Sequence, residues 1–302
     1  MHRFFYFLKI LSRRTLILYL FAFWLCYSIV DHDKAKLKTL NIIRPPFETL
    51  VAFRFGLAQL DTQSLWEYIH YFSLVARFMP HRTDAYGVLG YCYYHLGQTR
   101  KALSYYQKGI EQTPFYFGFH YNSGLIYFKN GQYKEAIRAF RATATANLDH
   151  AVDFILNSKV YFPLLTVKEG GSKAYLKDRL ERFQKQAYQF LILSHYYLEE
   201  YDEILLSAVH ALKINLGPPD FYYFYSGLAA YHLKKYAEAV GYLQKAIQRN
   251  PENPEAYQYL GLSAQALGQE SVYLKSQISA AYLRKAHTES LFNPDAVDLE
   301  IF

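Results

Sequence analysis

The residues with the clearest capacity for chemistry are eleven histidines, two cysteines and a few short glycine-rich runs. The histidines are scattered, with no HExxH motif and no Cys or His pair at metal-ligand spacing. The run EGGS at 169–172 lacks the lysine and hydroxyl residue of a phosphate loop, and no strand precedes the serine of GLSAQALG at 261–268. We therefore expect no catalytic residue, no metal and no cofactor, in a chain that is not an enzyme.

The remaining candidates for chemistry are better explained by packing. His95, His195 and His232 fall at helical positions where a packing role is ordinary. Cys26 lies in an apolar N-terminal segment and Cys92 on a helix far along the chain, so a disulfide between them is not expected.

The charge of the chain is concentrated at its N-terminus. The formal net charge is +7, of which residues 1–44 carry +6 and the rest +1. A nearly neutral remainder lacks the electrostatic footprint needed to bind phosphates, so we expect no nucleic-acid partner. The acidic run at 199–203 falls at a helix junction, where a solvated turn is the ordinary interpretation.

The N-terminal segment has the pattern of a membrane anchor. Arg13 and Arg14 precede sixteen uncharged, mostly apolar residues at 15–30. As a helix this run spans about 24 Å, which snorkelling of Arg14 could extend towards a ~30 Å hydrocarbon core. We expect a basic tail at 1–14, a single transmembrane signal anchor at 15–30 and a juxtamembrane linker at 31–48. A cleaved signal peptide and a buried soluble helix are the alternatives.

The orientation of this anchor depends on the basic residues beside it. Four Lys or Arg precede the apolar run and four follow it within residues 31–44. The N-terminal amine and the two arginines directly against the run favour a cytoplasmic N-terminus. The sequence thus predicts a single-pass membrane protein whose remaining chain lies on the non-cytoplasmic side, in a periplasm or lumen.

Beyond residue 48 the sequence repeats itself. The stretch YAEAVGYLQKAIQRNPENPEAY at 236–257 places Ala239 and Ala246 two helical turns apart, on one face. YKEAIRAFRAT at 133–143 and TRKALSYYQKGIEQTP at 99–114 keep the same order of small and large residues. Self-similarity at a fixed period indicates helical pairs that bury their apolar faces against their neighbours.

This order resembles the tetratricopeptide repeat, a 34-residue pair of helices with a small residue at position 8 and Ala at position 20. Units that start at 83, 117, 151, 185, 220 and 254 fit this frame. Position 8 then reads Gly90, Gly124, Ser158, Ile192, Gly227 and Gly261. The resemblance implies an all-α fold, a right-handed α-solenoid over 83–287, with a degenerate helical pair at 49–82 before it and a C-terminal tail at 288–302 after it.

The unit at 151–184 departs most from the family pattern. YFPLL at 161–165 and EGGS at 169–172 interrupt its helical periodicity. We interpret the segment as a decayed or remodelled repeat with an enlarged loop. The alternative is a non-repeat insertion that happens to have 34 residues.

The resemblance also implies where a partner binds. In this family the first helix of each unit lines the concave surface through positions 2, 5, 9, 12 and 13, and the spacing of positions 5, 9 and 12 puts them on one helical face. Aromatic residues at these positions form the predicted partner-binding groove: Tyr91, Tyr94, Tyr121, Phe128, Tyr196, Phe224 and Tyr231. The alternative is that these rings fill the space between adjacent helices.

One familiar use of such a groove does not fit this sequence. Family members that clamp the acidic C-termini of chaperones use Lys, Asn and Arg at positions 2, 5, 6 and 9, and only Asn122 matches that set. We therefore expect a membrane-anchored scaffold or adaptor for a protein partner, either a peptide segment or a membrane-complex subunit, with no small-molecule substrate. The alternative is a non-catalytic accessory subunit of a membrane enzyme complex.

Overall fold

The computed structural model describes residues 62–157 and 173–286, and all regular structure in those two ranges is α-helical. The helices in chain order are α1 Thr62–Phe78, α2 Asp84–His95, α3 Thr99–Gln112, α4 Phe117–Lys129, α5 Tyr133–Ala144, α6 Leu148–Asn157, α7 Lys173–Tyr197, α8 Tyr201–Lys213, α9 Pro219–His232, α10 Tyr236–Arg249, α11 Pro254–Ala266 and α12 Glu270–Ala286.

Most helices pack against their neighbours in sequence, as a repeat array requires. The pairs α2–α3, α4–α5, α9–α10 and α11–α12 correspond to the units expected at 83, 117, 220 and 254. Helix α1 ends just before Pro80 and packs on α2, so it stands where the second helix of the pair at 49–82 was expected. The first part of that pair lies outside the described residues.

Glycines at position 8 let the two helices of a unit approach closely. A Cβ added to Gly90 would lie 2.5 Å from the Tyr106 ring, and one added to Gly227 would lie 2.5 Å from Leu243 Cγ. Neither distance is compatible with a side chain, because non-bonded carbons prefer about 3.5–4.0 Å. The small residue read from the sequence at position 8 is thus a packing requirement.

Helix α7 differs from the expected division of the chain. It runs without interruption from Lys173 to Tyr197, through the unit boundary expected between 184 and 185. The segment contains neither Gly nor Pro, the residues that most readily end a helix. The first half of α7 pairs with α6 in antiparallel fashion, since Lys173 Nζ lies 3.1 Å from Asp153 Oδ1 and Lys177 Nζ lies 3.2 Å from Asp149 Oδ1.

The second half of α7 packs directly on α5 and α4. Phe190 stacks on Phe140 of α5 with ring centroids 5.0 Å apart and an interplanar angle of 11°. The Tyr121 hydroxyl of α4 donates a hydrogen bond of 2.7 Å to Gln186 Oε1. The helix that succeeds α4 in the stack is therefore the second half of α7 and not α6. Residues 158–172 lie outside the described ranges, so the interpretation of 151–184 as a remodelled repeat stays a prediction, as does the alternative of an insertion.

The predicted transmembrane segment at 15–30 lies outside the described residues, as do the tail at 1–14, the linker at 31–48 and the C-terminal tail at 288–302. Among the helices between Thr62 and Ala286 that the structure describes, none combines the length and hydropathy that crossing a membrane requires.

Candidate partner-binding face

The first-helix face is the surface formed by α2, α4, the second half of α7, α9 and α11, and it holds the seven aromatic residues predicted for the groove. The structure divides them into two groups. Four are buried, with at most 7% of each residue exposed: Tyr91, Tyr121, Phe128 and Phe224. Three are half-buried: Tyr94, Tyr196 and Tyr231.

The four buried rings pack inside the solenoid, as the alternative interpretation of the groove expected. Tyr121 meets Phe183 of α7 edge to face at 5.3 Å, and Phe128 contacts Tyr133 of α5 at 5.6 Å. Neighbouring helices thus occupy the space that a partner would need, and direct contact with these rings would require the helices to separate. Partner contact stays a prediction for the half-buried Tyr94, Tyr196 and Tyr231.

A repeated ring contact links the first helices of successive units. The ring at position 12 of one unit meets the ring at position 6 of the next first helix in an edge-to-face geometry. The pairs are Phe128–Phe190 at 5.1 Å and 72°, Tyr196–Tyr225 at 5.9 Å and 76°, and Tyr231–Tyr259 at 5.4 Å and 62°. Such pairs prefer this arrangement to face-to-face contact. Their recurrence fixes one register along α4, α7, α9 and α11.

Sequence reasoning missed Tyr225 and Tyr259, because position 6 was not among the positions assigned to the concave surface. A signal was nevertheless available. The chaperone-clamp comparison itself uses position 6 of two units, and reading that position along the chain would have found Phe190, Tyr225 and Tyr259.

The tyrosine patch is defined by Tyr196, Tyr225, Tyr231 and Tyr259, all half-buried. Burial is the main cause that raises the pKa of Tyr225 above its ordinary value, and the neighbouring Tyr196 raises it further. Burial also raises the pKa of Tyr259, with contributions from Tyr196 and the Glu255 carboxylate. These two hydroxyls therefore stay protonated at neutral pH and can donate or accept hydrogen bonds.

Local sequence sets the orientation of α11, which carries part of this patch. Asn253 caps the helix, its Oδ1 accepting hydrogen bonds from the backbone N–H of Glu255 at 3.0 Å and of Ala256 at 3.2 Å. Pro254 occupies the first helical position, where its fixed φ and missing N–H are suited to a helix start. The cap and the proline place Glu255 in the first turn, one turn before Tyr259.

At the edge of the patch, the turn between α7 and α8 holds an unusual residue. Glu199 has a φ of +57°, at the turn position where other units have Gly97, Gly131 and Gly268. A left-handed conformation costs a residue with a Cβ roughly 1–2 kcal/mol. Lys234 occupies the same position of the next unit with a φ of +61°. Both departures from glycine thus fall in the two units that carry Tyr196 and Tyr231.

Two of the three histidines considered from sequence have different environments. His195 is buried, and its Nδ1 lies 2.6 Å from Glu200 Oε2, which ties the end of α7 to the start of α8. His232 is exposed, and its ring stacks on Tyr201 with centroids 4.1 Å apart. Desolvation lowers the pKa of His232, and the Glu199 carboxylate opposes that shift. His195 thus has the expected packing role, whereas His232 lies beside the tyrosine patch.

The described residues assemble no group of three or more His, Cys, Asp or Glu side chains that could hold a metal ion. Cys92 is buried in α2, and burial raises the pKa of its thiol above the ordinary value. A thiol in that environment is a packing residue, because the thiolate is the reactive form of cysteine.

Comparison with known proteins identifies the repeats. The tetratricopeptide repeat family matches residues 90–151 and 220–253. Among solved structures, YrrB, whose published description is a TPR protein with an unusual peptide-binding site, has a TM-score of 0.51 at 15% identity, over 72% of this chain and 93% of its own. A MamA protein gives 0.49 at 17% identity, over 71% and 100%.

A MamA fragment from Desulfovibrio magneticus RS-1 gives a TM-score of 0.41 at 17% identity, over 69% of this chain and 98% of its own. The curated proteins include no significant match to this sequence. At these identities the structural likeness to YrrB establishes the fold alone. The described helices form an all-helical solenoid of the tetratricopeptide type, and residues 90–151 and 220–253 carry tetratricopeptide repeats.

Proposed function

We propose that this protein is a membrane-anchored scaffold that recruits a protein partner through the tyrosine patch of its first-helix face. The observation that carries the proposal is the half-buried state of the four tyrosines on successive first helices. Each ring presents part of its surface to solvent, and Tyr supplies a large, rigid contact area with a polar tip. Aromatic residues of this kind are enriched among interface residues that dominate binding energy.

The nature of the face favours a peptide segment as the partner. A row of amphipathic rings along parallel helices matches an extended or helical segment with apolar side chains, and the hydroxyls can orient its backbone. The YrrB protein is described as having a peptide-binding site on the same fold, which is consistent with this use. The proposed adaptor has no catalytic step of its own.

The tyrosines provide the test of this proposal. Full-length protein in detergent is used to capture partners from its source membrane, and the recovered partner is titrated against Tyr196→Ala, Tyr231→Ala and the double variant. Each substitution is expected to cost about 1–2 kcal/mol of binding, because interface tyrosines are frequent hot spots. Thermal unfolding of the same samples separates lost binding from lost fold. Unchanged affinity in a folded double variant would exclude this face as the principal site.

Membrane anchoring is a separate part of the proposal and rests on the sequence at 15–30 alone. We expect the full chain to stay with the membrane in alkaline carbonate, because a run of sixteen uncharged, mostly apolar residues is held by the hydrocarbon core. Release by carbonate, or a mature N-terminus that begins after this run, would contradict the anchor.

The proposed orientation places the repeats on the non-cytoplasmic side. A Ser172→Cys variant tests it with a membrane-impermeant thiol label applied to intact single-membrane cells. Labelling is expected if the repeats are outside the cytoplasm. Protection that ends only when the membrane is disrupted would reverse the assigned orientation.

A further inference from the structure

We infer that the tyrosine patch accepts a basic side chain, lysine or arginine, of the partner segment, with Glu255 as its counter-charge. This inference rests on the proposed function, because it names the chemistry of the ligand at the same face. The partner is thereby a segment in which a cationic residue is flanked by apolar ones.

The position of Glu255 is the first observation. Glu255 lies in the first turn of α11, four residues before Tyr259 and therefore on the same helical face. Its carboxylate also adds to the raised pKa values of Tyr225 and Tyr259. The residue is exposed. Within the described ranges its side chain forms no ion pair, although several other carboxylates of the same helical array do. An exposed carboxylate without an ion pair among the described residues thus stands one helical turn from Tyr259 of the patch.

The second observation is the aromatic surface around that carboxylate. Tyr225 meets Tyr196 at 5.9 Å, and Tyr259 meets Tyr231 at 5.4 Å, both edge to face. All four tyrosines are only half-buried, and a cation is attracted to the negative face of an aromatic ring. Tyrosine hydroxyl oxygens also accept hydrogen bonds from ammonium or guanidinium groups. Rings, hydroxyls and one carboxylate together make a set suited to a single basic side chain.

Basic residues on adjoining helices have contacts other than Glu255. Arg284 of α12 donates a hydrogen bond to Gln258 Oε1. Lys245 of α10 lies over the Tyr223 ring, 5.6 Å from its centroid. Lys234 stands in the turn after α9, at the edge of the patch, where Glu199 occupies the equivalent position of the preceding unit. None of these basic residues forms an ion pair with the Glu255 carboxylate in the part of the chain that the structure describes.

A peptide selection tests this inference. A phage library of random 12-residue peptides is panned against the full-length protein in detergent. The wild-type protein is expected to enrich peptides that hold one Lys or Arg between apolar residues. For a synthetic peptide from that pool, Glu255→Gln should weaken binding about five- to tenfold, the size of one favourable cation contact at a partly desolvated site. Glu255→Lys should shift the enriched peptides to Asp and Glu.

Glu238→Gln is the matched control, since it removes an exposed carboxylate from α10, outside the first-helix face. It should leave peptide affinity unchanged. Peptides that bind, depend on Tyr196 and Tyr231, but show no Lys or Arg preference and no response to Glu255→Gln would overturn this inference and leave the proposed function standing. Enriched peptides that ignore both tyrosines, or a library with no binder, would overturn both.

Discussion

Two regions of the first-helix face share the same edge-to-face ring contact but differ in the polarity and burial of the rings. Towards the N-terminus the pair Phe128–Phe190 is wholly apolar and buried. Towards the C-terminus the pairs Tyr196–Tyr225 and Tyr231–Tyr259 meet at similar distances and angles but are half-buried and carry hydroxyls. The same contact between positions 12 and 6 thus serves as core at one end and as surface at the other.

The N-terminal pair is covered by neighbouring helices. Phe190 belongs to α7, whose second half packs on α4 and α5, so the ring is covered by two helices and stacks on Phe140. In the C-terminal pairs Tyr225 and Tyr259 are only half-buried. The half-buried and the buried ring pairs therefore differ in how far neighbouring helices cover them, while the register stays the same.

The largest loss of stability is expected for the buried pair Phe128–Phe190. Phe190→Ala removes a fully buried ring that contacts two others, so it should destabilise the protein by about 3–5 kcal/mol. Tyr196→Ala removes a half-buried ring and should cost clearly less. Guanidinium unfolding of full-length protein in detergent measures both. Equal losses of unfolding free energy in the two variants would contradict the distinction between the buried pair and the half-buried pairs.

A smaller effect is expected in the contact within one unit. Gly90→Ala brings a Cβ to 2.5 Å from the Tyr106 ring and should cost about 1–3 kcal/mol by overpacking. Gly241→Ala makes the same chemical change in α10, where a Cβ meets nothing within 4 Å, and should stabilise by roughly 0.5–1 kcal/mol through helix propensity. A lower melting temperature for Gly90→Ala and a higher one for Gly241→Ala would confirm that position 8 is small for steric reasons. A neutral Gly90→Ala would contradict that assignment.

The smallest effects concern the turn that follows each first helix. Glu199→Gly should stabilise the protein by about 1 kcal/mol, because glycine adopts the left-handed backbone conformation of this turn without the steric cost of a Cβ. Gly97→Ala should destabilise the N-terminal stack by a similar amount, since its φ of +72° is retained and a Cβ there meets no neighbour. Chemical unfolding of the two variants gives the comparison. A loss of stability in Glu199→Gly would show that the carboxylate contributes more than the backbone conformation costs.

Two of the four patch tyrosines, Tyr196 and Tyr231, were predicted from the sequence, but which residues stay accessible was not. Positions 5 and 12 were assigned correctly to the first helices, and Tyr196 and Tyr231 lie half-buried there. Tyr121 and Phe224 carried the same signal and are buried, because residues from other helices cover them. The period identifies a helical face, whereas solvent exposure depends on what packs over that face.

The sequence by itself determined the helical pairs, since the period of 34 residues, the small residues at position 8 and the prolines between helices act through local and neighbouring contacts. Only the tertiary structure decided which unit follows which. The contact of Phe128 with Phe190 joins residues separated by α5, α6 and the first half of α7, and no local sequence pattern predicts it. The physical reason is that helix formation depends on residues a few positions apart, whereas stacking order depends on which distant apolar faces can bury one another.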